Sequence, residues 1–185
     1  DVYGGGKSAD VTNSNVYIKD GETTNVYGGG NQAGSQSTYI EITGGTTTAV
    51  YGGSNQSGTV NTTTINANGG TTGDIFGGNN EGGTCPETNV AINGSSVTDA
   101  VYGGGNQVAT QNTTVTLNNS ENEIPYIFGG GKSADATTTN VTINGGTATS
   151  VFGGSNTSGT VTTSNVSMVG GTMGNVYGGN NAGGT

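Results

Sequence analysis

Carboxylates are the side chains of this 185-residue sequence with the clearest capacity for chemistry. Half of the 12 Asp and Glu residues lie between positions 74 and 123, and Asp74 and Asp99 precede equivalent short apolar segments. A pair of carboxylates can act as acid and base on a polysaccharide, and oxygen ligands can bind Ca²⁺. The candidate binding patch consists of Asp74, Glu81, Glu87, Asp99, Glu121, Glu123 and Tyr126.

Most other catalytic groups are missing from the sequence. It has no His and no Arg, and its single thiol, Cys85, has no imidazole to activate it. We therefore predict a protein that is not an enzyme, and a glycoside hydrolase or lyase acting through Asp74 and Asp99 is a lower alternative. No Gly-Gly-x-Gly-x-Asp calcium motif occurs. We expect no cofactor and interpret the patch as a solvated acidic edge, with weakly bound Ca²⁺ as the alternative.

The candidate residues are placed by a repeat in which an aromatic residue precedes two glycines. The motif occurs eight times, at intervals of 24 to 26 residues. A fixed interval of this length is typical of a supersecondary unit that stacks on copies of itself. The aromatic residues are Tyr3, Tyr27, Tyr51, Phe76, Tyr102, Phe128, Phe152 and Tyr177.

A second periodic element, Ser/Thr-x-apolar-x-apolar, occurs in seven segments, from Ser14–Ile18 to Ser164–Met168. Alternation with period two and β-branched residues predicts a strand, and a glycine-rich turn leads from it to the aromatic strand. We predict an all-β, single-stranded β-solenoid of about eight coils with parallel in-register sheets. It spans residues 1–185 without a domain boundary, as one segment excised from a longer repeat protein. An antiparallel sandwich is the alternative.

Asparagine stands four residues after the aromatic in six coils. Stacked asparagines can pair amide to amide, so we predict an asparagine ladder. Lys7 and Lys132 replace asparagine in the other two coils, and Asp10 and Asp135 follow them by three residues, which predicts two local solvated ion pairs. The ladder residues are Asn31, Asn55, Asn80, Asn106, Asn156 and Asn181.

The direction of the aromatic column decides between a scaffold and a binding surface. Adjacent Val/Ile and Tyr/Phe residues point to opposite sides of a regular strand, so both columns cannot simply face inward. We interpret the rings as an internal stacked ladder, since Phe replaces Tyr in three coils and the glycines leave room for a ring. The alternative is an outward column that binds sugars or proteins, with Tyr17 and Tyr39 extending it.

Charge and composition exclude several function classes. The net charge of −9, with three lysines, disfavours nucleic acids and anionic lipid surfaces. No apolar run is long enough for a membrane span, so we expect no membrane insertion in this segment. Ice binding, another low alternative, needs a regular outward threonine grid. The outward column of the first strand is instead irregular: Tyr17, Glu41, Asn66, Ala91, Thr116, Thr142 and Ser167.

Segments such as Val-Tyr-Gly-Gly-Gly-Asn at 26–31 and Thr-Asn-Val-Thr-Ile-Asn-Gly-Gly at 139–146 resemble the glycine-rich repeats of large bacterial surface proteins. Such repeats occur especially in adhesin-like proteins of gut-dwelling bacteria. The resemblance covers all eight coils and implies a secreted or wall-attached β-solenoid that presents binding regions. It implies an extracellular or cell-surface location and partners among host or bacterial surface glycans or proteins, with self-association along or between rods. It transfers no catalytic residues.

Overall fold

The computed structural model describes all residues, 1–185, and consists of strands and turns. No helix in it is long and apolar enough to cross a membrane. The sixteen strands are β1 (Val2–Tyr3), β2 (Val11–Ile18), β3 (Glu22–Tyr27), β4 (Ser35–Ile42), β5 (Thr46–Tyr51), β6 (Val60–Ala67), β7 (Thr71–Phe76), β8 (Glu87–Asn93), β9 (Ser96–Val97), β10 (Ala100–Tyr102), β11 (Thr110–Asn119), β12 (Glu123–Phe128), β13 (Ala136–Ile143), β14 (Thr147–Phe152), β15 (Val161–Met168) and β16 (Thr172–Tyr177).

The strands form two parallel sheets that wind as a β-solenoid, which confirms the predicted fold class. Sheet A contains the strands that end in the aromatic residue, in the order β1-β3-β5-β7-β10-β12-β14-β16, with β9 beside β7. Sheet B has the order β2-β4-β6-β8-β11-β13-β15. The chain completes about seven turns, since sheet A has eight rungs and sheet B has seven, where the sequence predicted about eight coils.

Equivalent residues of successive coils lie side by side. Val26 pairs with Val50 and Tyr27 with Tyr51 in sheet A, and sheet B keeps the same register along its seven strands. Adjacent strands in such a sheet are ~4.8 Å apart, so each coil lengthens the solenoid by that distance. Every sequence position of the repeat therefore becomes a column of side chains along the axis.

The main core lies between the two sheets. It contains 21 buried residues, nearly all Val and Ile, from the apolar columns of both strand types. Ile40, Ile65 and Val115 of sheet B are completely buried, as is Val50 of sheet A. The period-two alternation of the sequence thus sends one column of side chains into the core and the next to solvent, and burial of these apolar columns stabilises the solenoid.

The two irregular coils differ locally from the others. The strand that ends at Tyr102 is divided into β9 and β10, and the register of β11 against β8 shifts between Leu117 and Asn119. Asn122 joins the divided strand to the next coil, because its Oδ1 accepts from Val97 N at 3.0 Å and its Nδ2 donates to Val97 O at 2.8 Å. The inserted residues are therefore accommodated without breaking the stack.

The last coil leaves apolar side chains uncovered. Met168, Val176 and Tyr177 are 49%, 42% and 49% exposed, whereas the equivalent residues of interior coils are buried. Edge strands with free backbone groups can pair with another chain. These side chains are exposed because no later coil of the described chain lies over them.

Candidate functional site

The eight aromatic rings form one continuous stack along sheet A. Consecutive ring centroids are 4.6–5.1 Å apart, and the ring planes differ by 14° or less. The six interior rings are buried, and only Tyr3 and Tyr177 at the ends are exposed, at 36% and 49%. Stacked aromatic pairs contribute about 0.5–1.5 kcal/mol each beyond the burial of their area. The column thus holds neighbouring coils together.

The rings do not enter the Val and Ile core. They form a second buried cluster with Ala49 and Ala100, on the opposite side of sheet A. The rule that adjacent residues face opposite sides of a strand therefore holds, and the rings are shielded from solvent outside the main core. Because the interior rings are covered, they offer no surface on which a sugar could stack.

The asparagine column lies beside the rings. Asn55 Nδ2 donates to Asn31 Oδ1 at 2.9 Å, and the same bond joins Asn80 to Asn55 and Asn106 to Asn80 at 2.8 Å. Beyond Lys132 the ladder resumes with Asn181 donating to Asn156 at 2.9 Å. The ladder therefore links consecutive coils wherever two asparagines adjoin.

The amides also reach the tyrosine hydroxyls of the coil two turns earlier. Asn156 Nδ2 donates to Tyr102 Oη at 3.1 Å, and Asn55 Nδ2 donates to Tyr3 Oη at 3.3 Å. Burial, more than the neighbouring charges, raises the pKa of Tyr27 and of Tyr102 to about 12. Burial also raises the pKa of Tyr51. These phenols remain neutral hydrogen-bonding groups at any physiological pH.

Lys132, which stands where six other coils have the ladder asparagine, forms the only ion pair of the chain. Lys132 Nζ lies 3.6 Å from Asp74 Oδ2 and 5.9 Å from the centroid of the Phe76 ring, two coils earlier. The predicted local ion pairs are wrong. Asp135 accepts instead from Thr160 N, and Asp10 from Gly34 N, both at 2.7 Å. These carboxylates bind the backbone of the next coil because their column adjoins its free N–H groups.

Part of the predicted acidic patch lies on the aromatic side of sheet A. Burial raises the pKa of Asp74, Lys132 opposes that shift, and the nearby charge of Asp99 adds to it. Glu81 is close enough to Tyr27 and Tyr51 to affect their pKa values. Tyr126 is 46% exposed, with its ring centroid 6.0 Å from that of Phe128.

The remaining patch residues lie elsewhere. Glu87 begins β8 in sheet B and accepts from Asn112 Nδ2 at 2.5 Å. Glu123 begins β12 and accepts from Thr149 Oγ1 at 3.0 Å, while exposed Glu121 donates its backbone N–H to Ser95 O. The seven residues therefore do not form one patch, and no group of three or more His, Cys, Asp or Glu side chains comes together as metal ligands would.

Cys85 is buried on the inner side of sheet B. Burial raises the pKa of its thiol to about 12, and a hydrogen bond with Thr63 partly opposes that shift. A thiol with so high a pKa carries almost no thiolate near neutral pH, so it is a poor nucleophile.

The Ser/Thr residue of each Ser/Thr-x-apolar-x-apolar segment lies within a strand of sheet B and bonds to the glycines that follow the aromatic residue. Its hydroxyl donates to the carbonyl of the first glycine after the aromatic in six coils, at 2.5–2.6 Å. Each of these buried hydroxyls thus satisfies a glycine carbonyl oxygen that accepts from no other side chain. The donors are Ser14, Thr38, Thr63, Thr88, Thr113 and Thr139.

Thr113→Val should therefore destabilise the chain by about 1–3 kcal/mol, because it leaves the buried carbonyl of Gly129 without its hydroxyl donor. Urea unfolding followed by circular dichroism measures the change. Ser164→Ala is the matched control, since Ser164 Oγ occupies the same column and has no partner. Equal losses in the two variants would contradict a stabilising role for the hydroxyl bond.

Two further polar columns were not predicted from the sequence. At the third position after the aromatic, Asn79 Oδ1 accepts from Ser54 N at 2.9 Å, and Asn180 Oδ1 accepts from Ser155 N at 2.7 Å. The signal was present, because this position reads serine and then asparagine in two pairs of consecutive coils. A second exposed amide ladder, bonded at 2.7–2.8 Å, follows the first strand: Asn68, Asn93, Asn118 and Asn144.

The sequence matches no protein-family model, and comparisons with curated proteins and with solved structures find no significant match.

Proposed function

We propose that this chain is a non-enzymatic structural and adhesive segment of a bacterial surface or secreted protein, a stiff β-solenoid scaffold for cell adhesion. One observation carries the proposal: columns of amide, hydroxyl and aromatic side chains are bonded or stacked from coil to coil. Amides pair with amides, hydroxyls bind glycine carbonyls, and rings stack on rings. Side chains used in this way stabilise the stack and are withdrawn from catalysis.

Stiffness follows from the distribution of these bonds around the coil. Each coil is held to the next by sheet A, by sheet B, by the ring stack and by the amide ladders, which lie on different sides of the axis. Bending the solenoid in any direction would stretch at least one of these columns. A scaffold of this kind keeps what it presents at a fixed distance and orientation.

The proposed extracellular or cell-surface location agrees with the kinds of interaction that hold the coils together. Only one ion pair joins two coils, and it is partly exposed, so ion pairs that salt would screen contribute little to the cohesion between coils. No disulfide contributes, since the single thiol is free and buried. Together with the resemblance to adhesin-like repeats, these features support a segment that stays folded in variable surroundings and bears contacts to surface glycans or proteins, or to other rods.

Stiffness can be measured between pairs of residues in one column whose side chains face solvent at least in part. Asn15 and Asn165 are six strand spacings apart in sheet B, ~29 Å, and Asn15 and Thr114 are four apart, ~19 Å. Spin labels on cysteines at each pair, in a Cys85→Ala background, should give a single narrow distance by pulsed electron resonance. Ala136 already occupies the position equivalent to Cys85, two coils on, so this background should fold.

The two distances provide their own control, because a rigid stack requires them to stand in the ratio of six to four. Broad distributions, or a long distance that falls short of this ratio, would mean that the coils hinge. A hinged solenoid would overturn the scaffold proposal.

A further inference from the structure

Three of the four asparagines in the second exposed amide ladder are each followed directly by glycine. They are Asn68, Asn93 and Asn144, and no other Asn-Gly pair occurs in the sequence. All three side chains are exposed at the same turn, where the sheet B strands of their coils end. An asparagine before glycine can lose its amide, because the next backbone nitrogen attacks the side-chain carbonyl carbon and glycine has no Cβ to hinder that attack.

The turn after Asn93 differs from the other two because serine replaces the second glycine. The other turns read Asn-Gly-Gly, and their second glycines, Gly70 and Gly146, have φ of +72° and +75°. Ser95 takes that position after Asn93, and in this chain no residue other than glycine has a positive φ. The positive φ falls instead on Gly94, at +152°, so the chain leaves the strand along a different path.

This change leaves the backbone N–H of Gly94 without a hydrogen-bond acceptor. In the first Asn-Gly-Gly turn, Gly69 N donates to Ile42 O of the preceding coil at 3.1 Å. In the second such turn, Gly145 N donates to Leu117 O at 3.3 Å. Gly94 N makes no equivalent bond. A bonded N–H must leave its acceptor before its nitrogen can attack a side-chain carbon, whereas the N–H of Gly94 has no bond to break.

The amide ladder also polarises the carbonyl group of Asn93. Asn118 Nδ2 donates to Asn93 Oδ1 at 2.7 Å, and Asn93 Nδ2 donates to Asn68 Oδ1 at 2.7 Å. The bond from Asn118 would stabilise the negative charge that forms on Oδ1 during attack. Asn93 therefore combines a polarised carbonyl group with an unbonded nitrogen in the next residue.

We propose that Asn93 is a site of spontaneous deamidation, at which the amide ladder acquires a carboxylate as the protein ages. The Gly94 nitrogen forms a bond to Asn93 Cγ and gives its proton to hydroxide, while the Cγ–Nδ2 bond breaks and Nδ2 takes a proton from water and leaves as ammonia. Water then opens the succinimide ring at either carbonyl, which yields aspartate or isoaspartate without an oxidant or reductant. The product cannot donate to Asn68, so the ladder loses one bond between coils. The inference does not depend on the proposed adhesive role.

The three Asn-Gly sites of one molecule test the proposal. The folded full chain is incubated in mildly alkaline buffer, and peptide mapping by mass spectrometry follows the conversion of each asparagine to a carboxylate. Asn93 should convert at least about fivefold faster than Asn68 and Asn144, because only their glycines must first give up a backbone hydrogen bond. In urea, where the turns are lost, the three rates should agree within about twofold. Equal rates in the folded chain, or the same ranking in urea, would overturn the proposal.

Ser95→Gly is the matched variant, because it keeps the Asn93-Gly94 pair and restores an Asn-Gly-Gly turn. The new glycine can take the left-handed φ, so the Gly94 N–H should regain its acceptor. Conversion of Asn93 should then slow to the rate of Asn68, even though the turn has gained a flexible residue. An unchanged or faster rate at Asn93 alone would overturn the role of the unbonded N–H. Unfolding of the variant would speed up all three sites together, and the comparison within the original chain would then decide.

Discussion

Gly103→Ala is expected to destabilise the chain by at least about 3 kcal/mol, or to prevent folding. A Cβ atom at Gly103 would overlap the carbonyl oxygen of Gly129 in the next coil, and it would lie 3.0 Å from Thr113 Cβ and Val115 Cγ2. Neither the backbone of the next coil nor the buried threonine can move without opening the stack. Thermal and urea unfolding followed by circular dichroism measure the loss.

Gly178 provides the matched control, because it holds the same motif position in the last coil. A Cβ atom there meets nothing within 4 Å, and the residue does not need a left-handed backbone. Gly178→Ala should therefore change the free energy of unfolding by less than about 1 kcal/mol. If both substitutions cost the same, the glycine would be required for local backbone conformation, and close packing between coils would not explain its recurrence.

The glycine doublet shows what the sequence could and could not reveal. Its recurrence predicted the coil length, and the Ser/Thr-x-apolar-x-apolar segments predicted the strands, because both depend on periods within the chain. The reason for the first glycine is a contact with a coil about 25 residues away, as between Gly103 and Gly129. Such a contact becomes visible only when coils are stacked.

Lys132 illustrates the same limit for the candidate site. Sequence proximity suggested Asp135 as its partner, whereas the side chain reaches Asp74 and Phe76 two coils away. A position four residues after the aromatic lies beside the ring column of earlier coils, as the bond between Asn156 and Tyr102 also shows. A side chain such as Lys132 can therefore pair with a residue of another coil along the axis in place of a residue near it in the sequence.

The asparagine ladder could be predicted because identical residues in one column can bond to each other without knowledge of other columns. The location of the rings could not, because parity fixes only which side of the strand they occupy. The turn that carries Asn80 and Asn106 covers that side of the strand. Its position depends on how the chain folds back after the glycines. Because this turn buries the interior rings, the aromatic column is part of the scaffold and not a binding surface.

Stability should fall steeply as the pH rises from about 9 to about 12. The folded chain holds the pKa of Tyr27, Tyr102 and Cys85 at about 12, and raises that of Tyr51. In the unfolded chain tyrosine ionises near pH 10 and cysteine near 8.5. The unfolded chain thus releases protons that the folded chain keeps, so their contribution to stability is complete below the unfolded pKa values and is lost as the pH rises. Urea midpoints measured at successive pH values follow this loss.

Tyr102→Phe tests whether the buried ring column causes the alkaline loss. The ring itself should fit, since Phe76 and Phe128 are its neighbours in the stack, but the bond from Asn156 is lost, at about 0.5–1.5 kcal/mol near neutral pH. The informative quantity is the slope of the free energy of unfolding against pH between about pH 9 and about pH 12. This slope should become shallower because one phenol with a raised pKa has been removed. Tyr177→Phe, which alters the exposed ring at the end of the same column, should leave the slope unchanged. A Tyr102→Phe slope identical to that of the original chain would show that the buried phenols do not oppose ionisation, and that the alkaline sensitivity arises elsewhere.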